Sequence, residues 1–411
     1  MTNWTECRIS EVVSVAQGLC INSKSKHLLS DSGYPLLRIT DLINDTEEQY
    51  IDKHRVLKKF IAKPDDLIYT RTGQVGYVFK GRVGIVHNNC FRVIPNKEIS
   101  RQYLFWFLKT KFAYDFSNAV ASGAAQPDLG HSLFLSMPFR YPDISTQQKI
   151  AAILSTYDDL IENNQRRIAL LEKMAEEIYR EWFVRLRFPG HENVKNVKGI
   201  PEGWEIDRVD SIGKIVTGKT PSTDNPRYFG GPYFFIKTPD MHGNIFIVET
   251  EERLSQNGLD SQPSQTIPRG SICVSCIGTG GIVSITTSEC QTNQQINSVI
   301  VRNPSDLEWA FFSLRNLREA IQMFGATGAT MTNLSKGKFS SLKILRPNKS
   351  IVLKYHALVN PIFAQMQSIL QQTMILRSTR DLLLPRLISG KLSVEQLDIQ
   401  FPPGMEEAIS A

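Results

Sequence analysis

One stretch of nine residues occurs twice in this chain of 411 residues, almost half a chain apart. "SGAAQPDLG" and "TGATMTNLS" share a glycine, an alanine and a leucine, and Gly123 lies 205 residues before Gly328. The same step relates "RTGQVGYV" at Arg71 to "CIGTGGIV" at Cys276. Solenoid repeats have periods of roughly 20 to 50 residues. This longer step therefore indicates that a whole globular unit has been duplicated.

The match between the two copies continues upstream with a slightly shorter step. Trp4 corresponds to Trp204, and "PLLRITDL" at Pro35 corresponds to "YFFIKTPDM" at Tyr233. The second copy therefore carries a few extra residues in its middle. The shared letters are mostly apolar or glycine, which indicates a common framework.

A helical pattern closes each copy. Apolar residues recur there with a mean spacing close to 3.5, which is typical of a coiled-coil seam. Two helices with seams of equal length and phase are expected to pair antiparallel within one chain. The predicted seam consists of Leu160, Ile168, Leu171, Ile178 and Trp182 in the first copy and Met366, Leu370, Leu376 and Leu383 in the second.

Capping signals predict where these two helices begin. Ser155 opens a sequence typical of a capping box, and Asn360 followed by Pro361 is a favoured N-cap and first helical residue. The helices are therefore expected to start at about 156 and 361. They are expected to end before 189 and near 390, with about 30 residues or ~45 Å each.

The segments before the helices have short apolar runs broken by Gly, Pro and Asn, with one or two helices in each copy. This predicts an α+β fold, with two globular domains in pseudo-twofold repeat separated by two long antiparallel coiled-coil helices. Residues 188–203 are interpreted as the linker between the halves. The predicted divisions are a first globular domain at 1–144, a central helical region at 145–190, a second globular domain at 191–349 and a C-terminal helical region at 350–411.

No pattern in the chain predicts covalent chemistry. "NPRYF" at Asn225 resembles the adenine-gripping loop of amino-methyltransferases, but no glycine-rich cofactor loop precedes it, so a turn is favoured. "GTGG" at Gly278 lacks the ending of a phosphate-binding loop and is interpreted as a tight turn. Cys273 and Cys276 form a lone CxxC without a second ligand pair, so buried thiols in a strand are favoured. We predict no catalytic residues and no metal ligands.

The bulk composition restricts the environment and weakly suggests a partner. No stretch approaches 18 consecutive apolar residues, and the N-terminus has no pattern of a signal peptide. Together with six scattered cysteines, this predicts a cytoplasmic protein without a membrane span. The net charge of +6 weakly favours a polyanion, although a basic surface is commonly a matter of solubility alone.

Polar loops and basic runs provide candidate contacts with DNA. The basic run "DKHRVLKKFIAK" suits phosphates, although a solvated surface is an equal alternative. The loop beginning at Arg71 and the amide-rich "QTNQQIN" carry side chains that pair with guanine and adenine edges, although such loops are often plain turns. The candidate DNA-binding residues are Lys58, Lys59, Arg71, Thr72, Gln74, Gln126, Lys237, Thr279, Gln291, Asn293, Gln294, Gln295, Asn333, Lys336 and Lys338.

These features together resemble the specificity subunits of type I restriction-modification systems over essentially the whole chain. "QQKIAAILSTYDDLIENNQRRIALLEKMAEEIYREWF" is similar to the central conserved region of that family, and "LRSTRDLLLPRLISGKLSV" is similar to its C-terminal one. "YPLLRITDL" and the glycine turn followed by "SGAAQPDL" resemble landmarks of its target recognition domains. The segment "KPDDLIY" departs from the usual Gly-Asp before a strand.

The resemblance implies a non-catalytic subunit that recognises DNA. Each globular domain would read one half of a split target, and the paired helices would set the gap and dock modification (M) subunits. S-adenosylmethionine would be bound by the M subunits, and ATP and Mg²⁺ by restriction (R) subunits. Two alternatives stay open: a protein-binding scaffold whose domains never touch DNA, and a self-contained adenine methyltransferase, for which a cofactor loop is missing.

Overall fold

The structure, a computed structural model, describes residues 4–123, 126–326 and 332–401. The chain forms two compact units, each of which contains part of both long helices. Unit 1 comprises Met1–Glu162 and Ile375–Ala411, and unit 2 comprises Asn163–Met374. This division cuts each long helix within its length, whereas the predicted boundaries were placed at the helix starts.

Unit 1 is built mainly from short strands, with small helices between them. Its strands are β1 Thr5–Arg8, β2 Val13–Gln17, β3 Leu29–Ser30, β4 Tyr34–Leu37, β5 Tyr50–Ile51, β6 Ile61–Ala62, β7 Leu67–Thr70, β8 Val78–Phe79, β9 Gly84–Val86, β10 Cys90–Pro95 and β11 Pro138–Tyr141. Its helices are α1 Ile39–Asn44, α2 Arg101–Leu108, α3 Lys111–Val120, α4 His131–Leu135 and the first part of α5 Ile144–Tyr179.

Unit 2 repeats this pattern with a few additional elements. Its strands are β12 Asn196–Val197, β13 Ile200–Pro201, β14 Glu205–Arg208, β15 Gly213–Thr217, β16 Phe229–Ile236, β17 Phe246–Ile247, β18 Glu252–Leu254, β19 Ile272–Ser275, β20 Ile277–Gly278, β21 Val283–Thr286, β22 Cys290–Thr292, β23 Ile296–Val301, β24 Thr332–Asn333 and β25 Lys343–Arg346. Its helices are α6 Gln256–Asp260, α7 Leu307–Arg315, α8 Arg318–Gly325, α9 Lys336–Ser340 and much of α10 Lys349–Ile388.

Equivalent strands pair in the same way in the two units. The antiparallel order β2-β10-β7 of unit 1 corresponds to β15-β23-β19 of unit 2. The parallel pair β4-β9 corresponds to β16-β22, and the antiparallel pair β1-β11 corresponds to β14-β25. The predicted repeat of a mixed α+β unit is confirmed, because the two units share the pairing of their strands as well as similarity in sequence.

A fully buried helix lies at the centre of each core. From Tyr103 to Leu108 every side chain of α2 is buried, and so is almost all of its counterpart α7. A helix that is apolar on all sides is stable only inside a core. The indole of Trp106 donates to the Ser155 hydroxyl of α5 at 3.2 Å, which attaches the buried helix of unit 1 to its long helix.

The predicted start of the first long helix is wrong by about one dozen residues. Helix α5 begins at Ile144, and the Asp143 carboxylate caps it by accepting from the Thr146 amide at 3.0 Å. Ser155, the predicted cap, lies inside the helix and is buried. Its hydroxyl accepts the hydrogen bond from Trp106, a tertiary partner that the local sequence does not reveal.

The predicted start of the second helix fails for the same reason. Helix α10 begins at Lys349, where the Asn348 side chain accepts from the Ile351 amide at 3.0 Å. The helix continues through Pro361, although proline removes one backbone hydrogen bond and disfavours a helix interior by about 3 kcal/mol. The Asn360 amide instead donates to the buried Glu308 carboxylate at 2.9 Å.

The predicted ends of the long helices are confirmed. Helix α5 ends at Tyr179 and is followed by a π-helical segment Arg180–Val184, and α10 ends at Ile388. The helices contain 36 and 40 residues, so at 1.5 Å per residue they are about 54 and 60 Å long.

In each unit the two long helices run antiparallel. In unit 1, Asp158 of α5 pairs with Arg380 of α10, while Lys149 reaches the Glu395 carbonyl at 2.7 Å. In unit 2, Asn164 bonds to Thr373 at 3.2 Å, and the rings of Tyr179 and Tyr355 lie 6.3 Å apart. As residue numbers rise along α5, the residue numbers of their partners on α10 fall, which is the pattern of an antiparallel pair.

The seam of α5 follows alternate steps of three and four residues from Ile161. Leu160 is therefore a wrong seam residue, because it is exposed and points about 100° away from the buried Ile161. Asn164 is a buried polar seam residue, with Thr373 as its partner. Of the other predicted seam residues, Met366 is buried, Leu171, Ile178, Trp182 and Leu370 pack against the core of unit 2, Leu383 packs against that of unit 1, and Ile168 and Leu376 are half-buried.

The predicted linker is partly folded. Phe188 is buried, with its ring 4.9 Å from that of Trp204, and β12 and β13 form a small hairpin within the same segment. The apolar Phe188 belongs to the core of unit 2 because Trp204 offers it a buried partner. Among the described residues, no helix combines the length and the apolar character that crossing a membrane requires.

We predict that the seam carries much of the stability of unit 2. Ile369 is 2% exposed and Ile375, on the same helix, is 66% exposed. The Ile369→Ala variant is expected to lose about 2–5 kcal/mol in free energy of unfolding, because it leaves a cavity in a packed seam. The matched Ile375→Ala variant should change by less than ~0.5 kcal/mol. Urea denaturation followed by tryptophan fluorescence measures both, and equal losses would contradict the seam.

Candidate nucleic-acid interface

A glycine turn joins β7 to β8 in unit 1. The Thr70 amide donates to the Tyr77 carbonyl at 2.9 Å, and the Gly76 amide donates back to the Thr70 carbonyl at 3.2 Å. Gly73 and Gly76 have φ values of 84° and 97°, a region that residues with a Cβ rarely adopt. The two glycines therefore allow the chain to reverse tightly, with the intervening side chains on the outside.

Unit 2 builds the same turn between β19 and β21. The Ser275 amide donates to the Ile282 carbonyl at 2.9 Å, and the Gly281 amide donates to the Ser275 carbonyl at 2.9 Å. Gly278 and Gly281 also have positive φ, at 78° and 86°. The prediction that "GTGG" forms a tight turn is confirmed.

The repeated segments "SGAAQPDLG" and "TGATMTNLS" are hydrogen-bonded to these turns. In unit 1 the Leu129 amide donates to the Arg71 carbonyl at 2.8 Å, and in unit 2 the Leu334 amide donates to the Cys276 carbonyl at 2.9 Å. Both leucines are buried, and Gly123 has a φ of 101°. The phrase is thus part of the framework that supports each turn. Its residues Ala124, Ala125 and Thr327–Met331 lie outside the described residues.

An amide side chain from the neighbouring helix also holds each turn. Asn118 of α3 donates to the Val75 carbonyl at 3.2 Å, and Gln322 of α8 donates to the Gly280 carbonyl at 3.2 Å. The two receiving carbonyls are 205 residues apart. The donors are 204 residues apart and differ in type, so the 205-residue repeat of the sequence does not relate them.

In unit 1, Arg71 is already paired within the site. Its guanidinium bonds the Asp128 carboxylate at 2.7 Å and the Gln17 amide oxygen at 3.0 Å, and the Thr72 hydroxyl donates to Asp128 at 2.6 Å. Hydrogen bonds from Arg71 and Thr72 hold the pKa of Asp128 below its ordinary value of 3.8. Gln74 is exposed beside this group. Gln17 was not among the predicted residues.

The expectation for Gln291 is corrected by its burial. Its side chain is fully buried in β22, where the amide nitrogen donates to the Leu259 carbonyl at 2.9 Å, the Gln262 carbonyl at 3.1 Å and the Thr266 hydroxyl at 2.9 Å. Its oxygen accepts from the Gln262 amide at 2.8 Å. Because these bonds are made inside the unit, Gln291 supports the loop from the core side and is not available as a base contact.

The three following amides differ in accessibility. Gln294 is exposed and accepts from the Thr220 hydroxyl at 2.8 Å. Asn293 is buried and hydrogen-bonds to Gln295 through both its side-chain oxygen and its nitrogen. Gln295 is half-buried. Asn293 therefore acts on Gln295 and not on a base directly, while Gln294 and Gln295 stay predicted contacts.

The remaining candidates lie on the surface, and their role stays a prediction. Lys237 is half-buried and paired with Glu252, and Thr279 is exposed at the tip of its turn. The basic run of unit 1 forms short 3-10 turns and not a helix face. The other exposed candidates are Lys58, Lys59, Gln126, Asn333, Lys336 and Lys338.

The motifs at Asn225 and at Cys273 and Cys276, which the sequence indicates are structural, have structural roles in the fold. Asn225 caps a 3-10 turn by accepting from the Arg227 amide at 3.2 Å. Cys273 and Cys276 are buried, and burial raises their thiol pKa values to about 12 and about 11. Within the ranges that the structure describes, no group of three or more His, Cys, Asp or Glu side chains is placed to hold a metal ion.

Comparison with known proteins links this architecture to one family. The family model described as the type I restriction modification DNA specificity domain matches residues 1–173 and 201–372. The HindI type I restriction enzyme specificity subunit of Haemophilus influenzae is 30% identical over 406 residues, covering 82% of this chain and 88% of the relative. The MjaIX specificity subunit of Methanocaldococcus jannaschii is 27% identical over 419 residues, covering 96% and 95%.

A solved structure shares the fold. The crystal structure of the S subunit of a type I restriction-modification system from M. genitalium superposes with a TM-score of 0.62, at 15% sequence identity. The match covers 94% of this chain and 96% of that one. At this level of identity the likeness concerns the arrangement of the backbone.

The carboxylate of Asp128 is predicted to make the turn of unit 1 sensitive to pH. Because its folded pKa is lowered, the ionised form stabilises the turn above a pH of about 4, and this contribution is lost as the pH falls through the lowered pKa. Asp128→Asn should speed exchange of the Gly73 amide at neutral pH by about 2- to 5-fold, since the ion pair is partly exposed.

Hydrogen exchange measured between about pH 6 and pH 3 tests this expectation. The difference between wild type and Asp128→Asn should shrink as the pH falls. Asp115→Asn, which removes an exposed ion pair with Lys111 on α3, is the matched control and should leave Gly73 unaffected. A difference that does not depend on pH would contradict a role for the ionised carboxylate.

Proposed function

The chain belongs to the family of type I restriction-modification specificity subunits, and from this premise we propose that it reads a split DNA sequence. Each unit reads one half of the target through its glycine turn and the neighbouring polar loops. The long helices set the gap between the half-sites and dock the methyltransferase subunits. The chain itself catalyses no reaction.

The observation that carries this proposal is one backbone frame bearing two sets of side chains. The hydrogen bonds that close the turns recur at the same step in both units. The side chains on that frame differ: the exposed Gln74 of unit 1 corresponds to the exposed Thr279 of unit 2, and the half-buried Asp128 corresponds to the exposed Asn333. Two readers with a common scaffold and different targets need this combination, because sequence is read by side chains at base edges.

The division of chemistry among subunits is part of the proposal. The buried thiols and the capped turn at Asn225 have structural roles in this chain. We assign S-adenosylmethionine to the modification subunits, and ATP and Mg²⁺ to the restriction subunits. This subunit then contributes recognition and position, while the partners contribute the reacting groups.

Exposed apolar side chains on the long helices support the docking role. Leu170 and Met174 lie one turn apart on α5 in unit 2, and both are exposed. Ile375 and Leu382 lie two turns apart on α10 in unit 1, and both are exposed. Because the seam faces the other helix, these side chains lie outside it, and apolar area of this kind marks interaction surfaces.

The target is expected to change by halves when one unit is exchanged. Residues 1–144 replaced by the same region of a relative should change one half of the methylated sequence and leave the other unchanged. The measurement is methylome sequencing after co-expression with the modification subunit. Changes in both halves would contradict modular reading, and a wild type without any split adenine-methylated sequence would overturn the proposed function.

The same assay addresses the spacing role. Insertion of one heptad into α5 at the level of Asp158 and of one into α10 at the level of Arg380 preserves the seam phase, since these residues face each other. The expected result is a wider gap between two unchanged half-sites. An unchanged gap would contradict the idea that the helices set it.

Docking is tested by placing a charge on the exposed helix face. Leu170→Asp, at a side chain that is 67% exposed, should reduce co-purification of the modification subunit by about tenfold or more, because an apolar interface would bury an unpaired carboxylate. Ile206→Asp is the matched control, at a strand residue that is 60% exposed, and it should bind normally. Equal loss in both variants would indicate a general effect of charge and contradict this surface.

A further inference from the structure

The side-chain amide of Gln295 is held in one orientation beside the glycine turn of unit 2. Resting on the proposed function, we propose that Gln295 disfavours cytosine at one base position, because only its NH₂ group faces outward. This differs from the usual pairing of glutamine with adenine, in which the amide uses its oxygen and its nitrogen together.

A backbone amide determines that orientation. The Gln295 N–H, which can only donate, gives its hydrogen bond to the Asn293 side-chain oxygen at 3.1 Å. The Asn293 nitrogen must then be the donor to the Gln295 side-chain oxygen, at 3.1 Å. The Thr238 hydroxyl donates to the same oxygen at 3.2 Å. Because a backbone N–H can only donate, it fixes which side-chain atoms of Asn293 and Gln295 donate and which accept.

The Gln295 oxygen is consequently occupied on the inner side of the loop. Asn293 and Thr238 are both buried, so exchanging them for water or a base would leave buried polar atoms without partners, which costs about 1–3 kcal/mol each. In the part of the chain that the structure describes, no protein acceptor pairs with the Gln295 side-chain nitrogen. The outward chemistry of this side chain is therefore that of a donor.

Gln295 is also fixed to the turn through its backbone. Its carbonyl accepts from the Cys276 amide at 2.7 Å and from the Ile277 amide at 3.3 Å. A Cβ placed on Gly278 would lie 3.7 Å from the Gln295 side-chain nitrogen. This nitrogen is not among the buried side-chain polar atoms without a partner in the described residues, which is consistent with its access to solvent.

A fixed donor distinguishes bases by the group they present in the major groove. Guanine offers O6 and N7, adenine offers N7 and thymine offers O4 as acceptors, whereas cytosine offers only its N4 donor. A donor facing a donor loses its bond and leaves both groups unpaired. Gln295 should therefore favour guanine, adenine or thymine over cytosine at one position of the half-site read by unit 2.

Two substitutions reverse the outward group by different routes. Gln295→Glu replaces the NH₂ with an acceptor, and its inner oxygen can still receive Asn293 and Thr238. Asn293→Asp leaves Gln295 itself unchanged, but the new carboxylate has no N–H to donate. The Gln295 amide must then rotate to donate inward, which turns its oxygen outward. A merely structural role predicts no such agreement between the two variants.

The test is methylome sequencing of each variant co-expressed with the modification subunit. Both variants are expected to admit cytosine at the same position of the strand that is read, where the wild type disfavours it, with methylation of the original site reduced about tenfold or more. Gln295→Ala should relax that position. Gln367→Glu, which adds the same charge on α10 and keeps its acceptor for Arg269, should leave the target unchanged.

The possible outcomes separate this inference from the proposed function. A Gln295→Glu variant that still disfavours cytosine at every position, or changes at different positions in the two variants, would overturn the role of Gln295 while the split target remained. If Asn293→Asp does not fold, as judged by its melting temperature, Gln295→Glu and Gln295→Ala decide alone. A wild type with no split target overturns both.

Discussion

The glycine turn closed by backbone hydrogen bonds is the constraint on which the recognition face of each unit depends. The bonds from Leu129 to Arg71 and from Leu334 to Cys276 attach each turn to the segment that follows the small helices. Because these bonds use only main-chain atoms, they tolerate any side chain at the tip of the turn. One frame can therefore carry an arginine and a glutamine in unit 1 and a threonine in unit 2, which suits the proposal that the two halves read different sequences.

Polar side chains around the turns divide into those that build the frame and those that face outward. Gln291 makes all of its bonds inside unit 2, and Arg71 is held by Asp128 and Gln17. Gln295 combines both roles, since its oxygen belongs to the frame and its nitrogen does not. A hydrogen-bond inventory of each amide thus separates support from recognition, because a buried group whose bonds are satisfied has none left for a base.

The repeat, the α+β character of its units, the turns and the helix ends could be predicted from sequence, because each depends on local patterns of apolar residues, glycine and proline. The helix starts could not. Asp143 and Asn348, which cap the long helices, are themselves 205 residues apart. However, Ser155 and Asn360 are also residue types that are favoured at helix N-caps. Tertiary contacts decide which pair caps the helices, because Ser155 and Asn360 lie inside the helices and bond there to Trp106 and Glu308.

The sequence by itself determined that one unit is built twice, because a duplicated pattern of core residues and glycines recurs at a step of 205 residues in the later part of each copy and at a slightly shorter step upstream. Only the tertiary structure decided which polar residues are available to a ligand. Gln291 and Gln294 are the same amino acid three positions apart, but one points into the core behind β22 and the other into solvent. Burial and hydrogen-bond partners come from segments distant in the chain, and local composition carries no record of them.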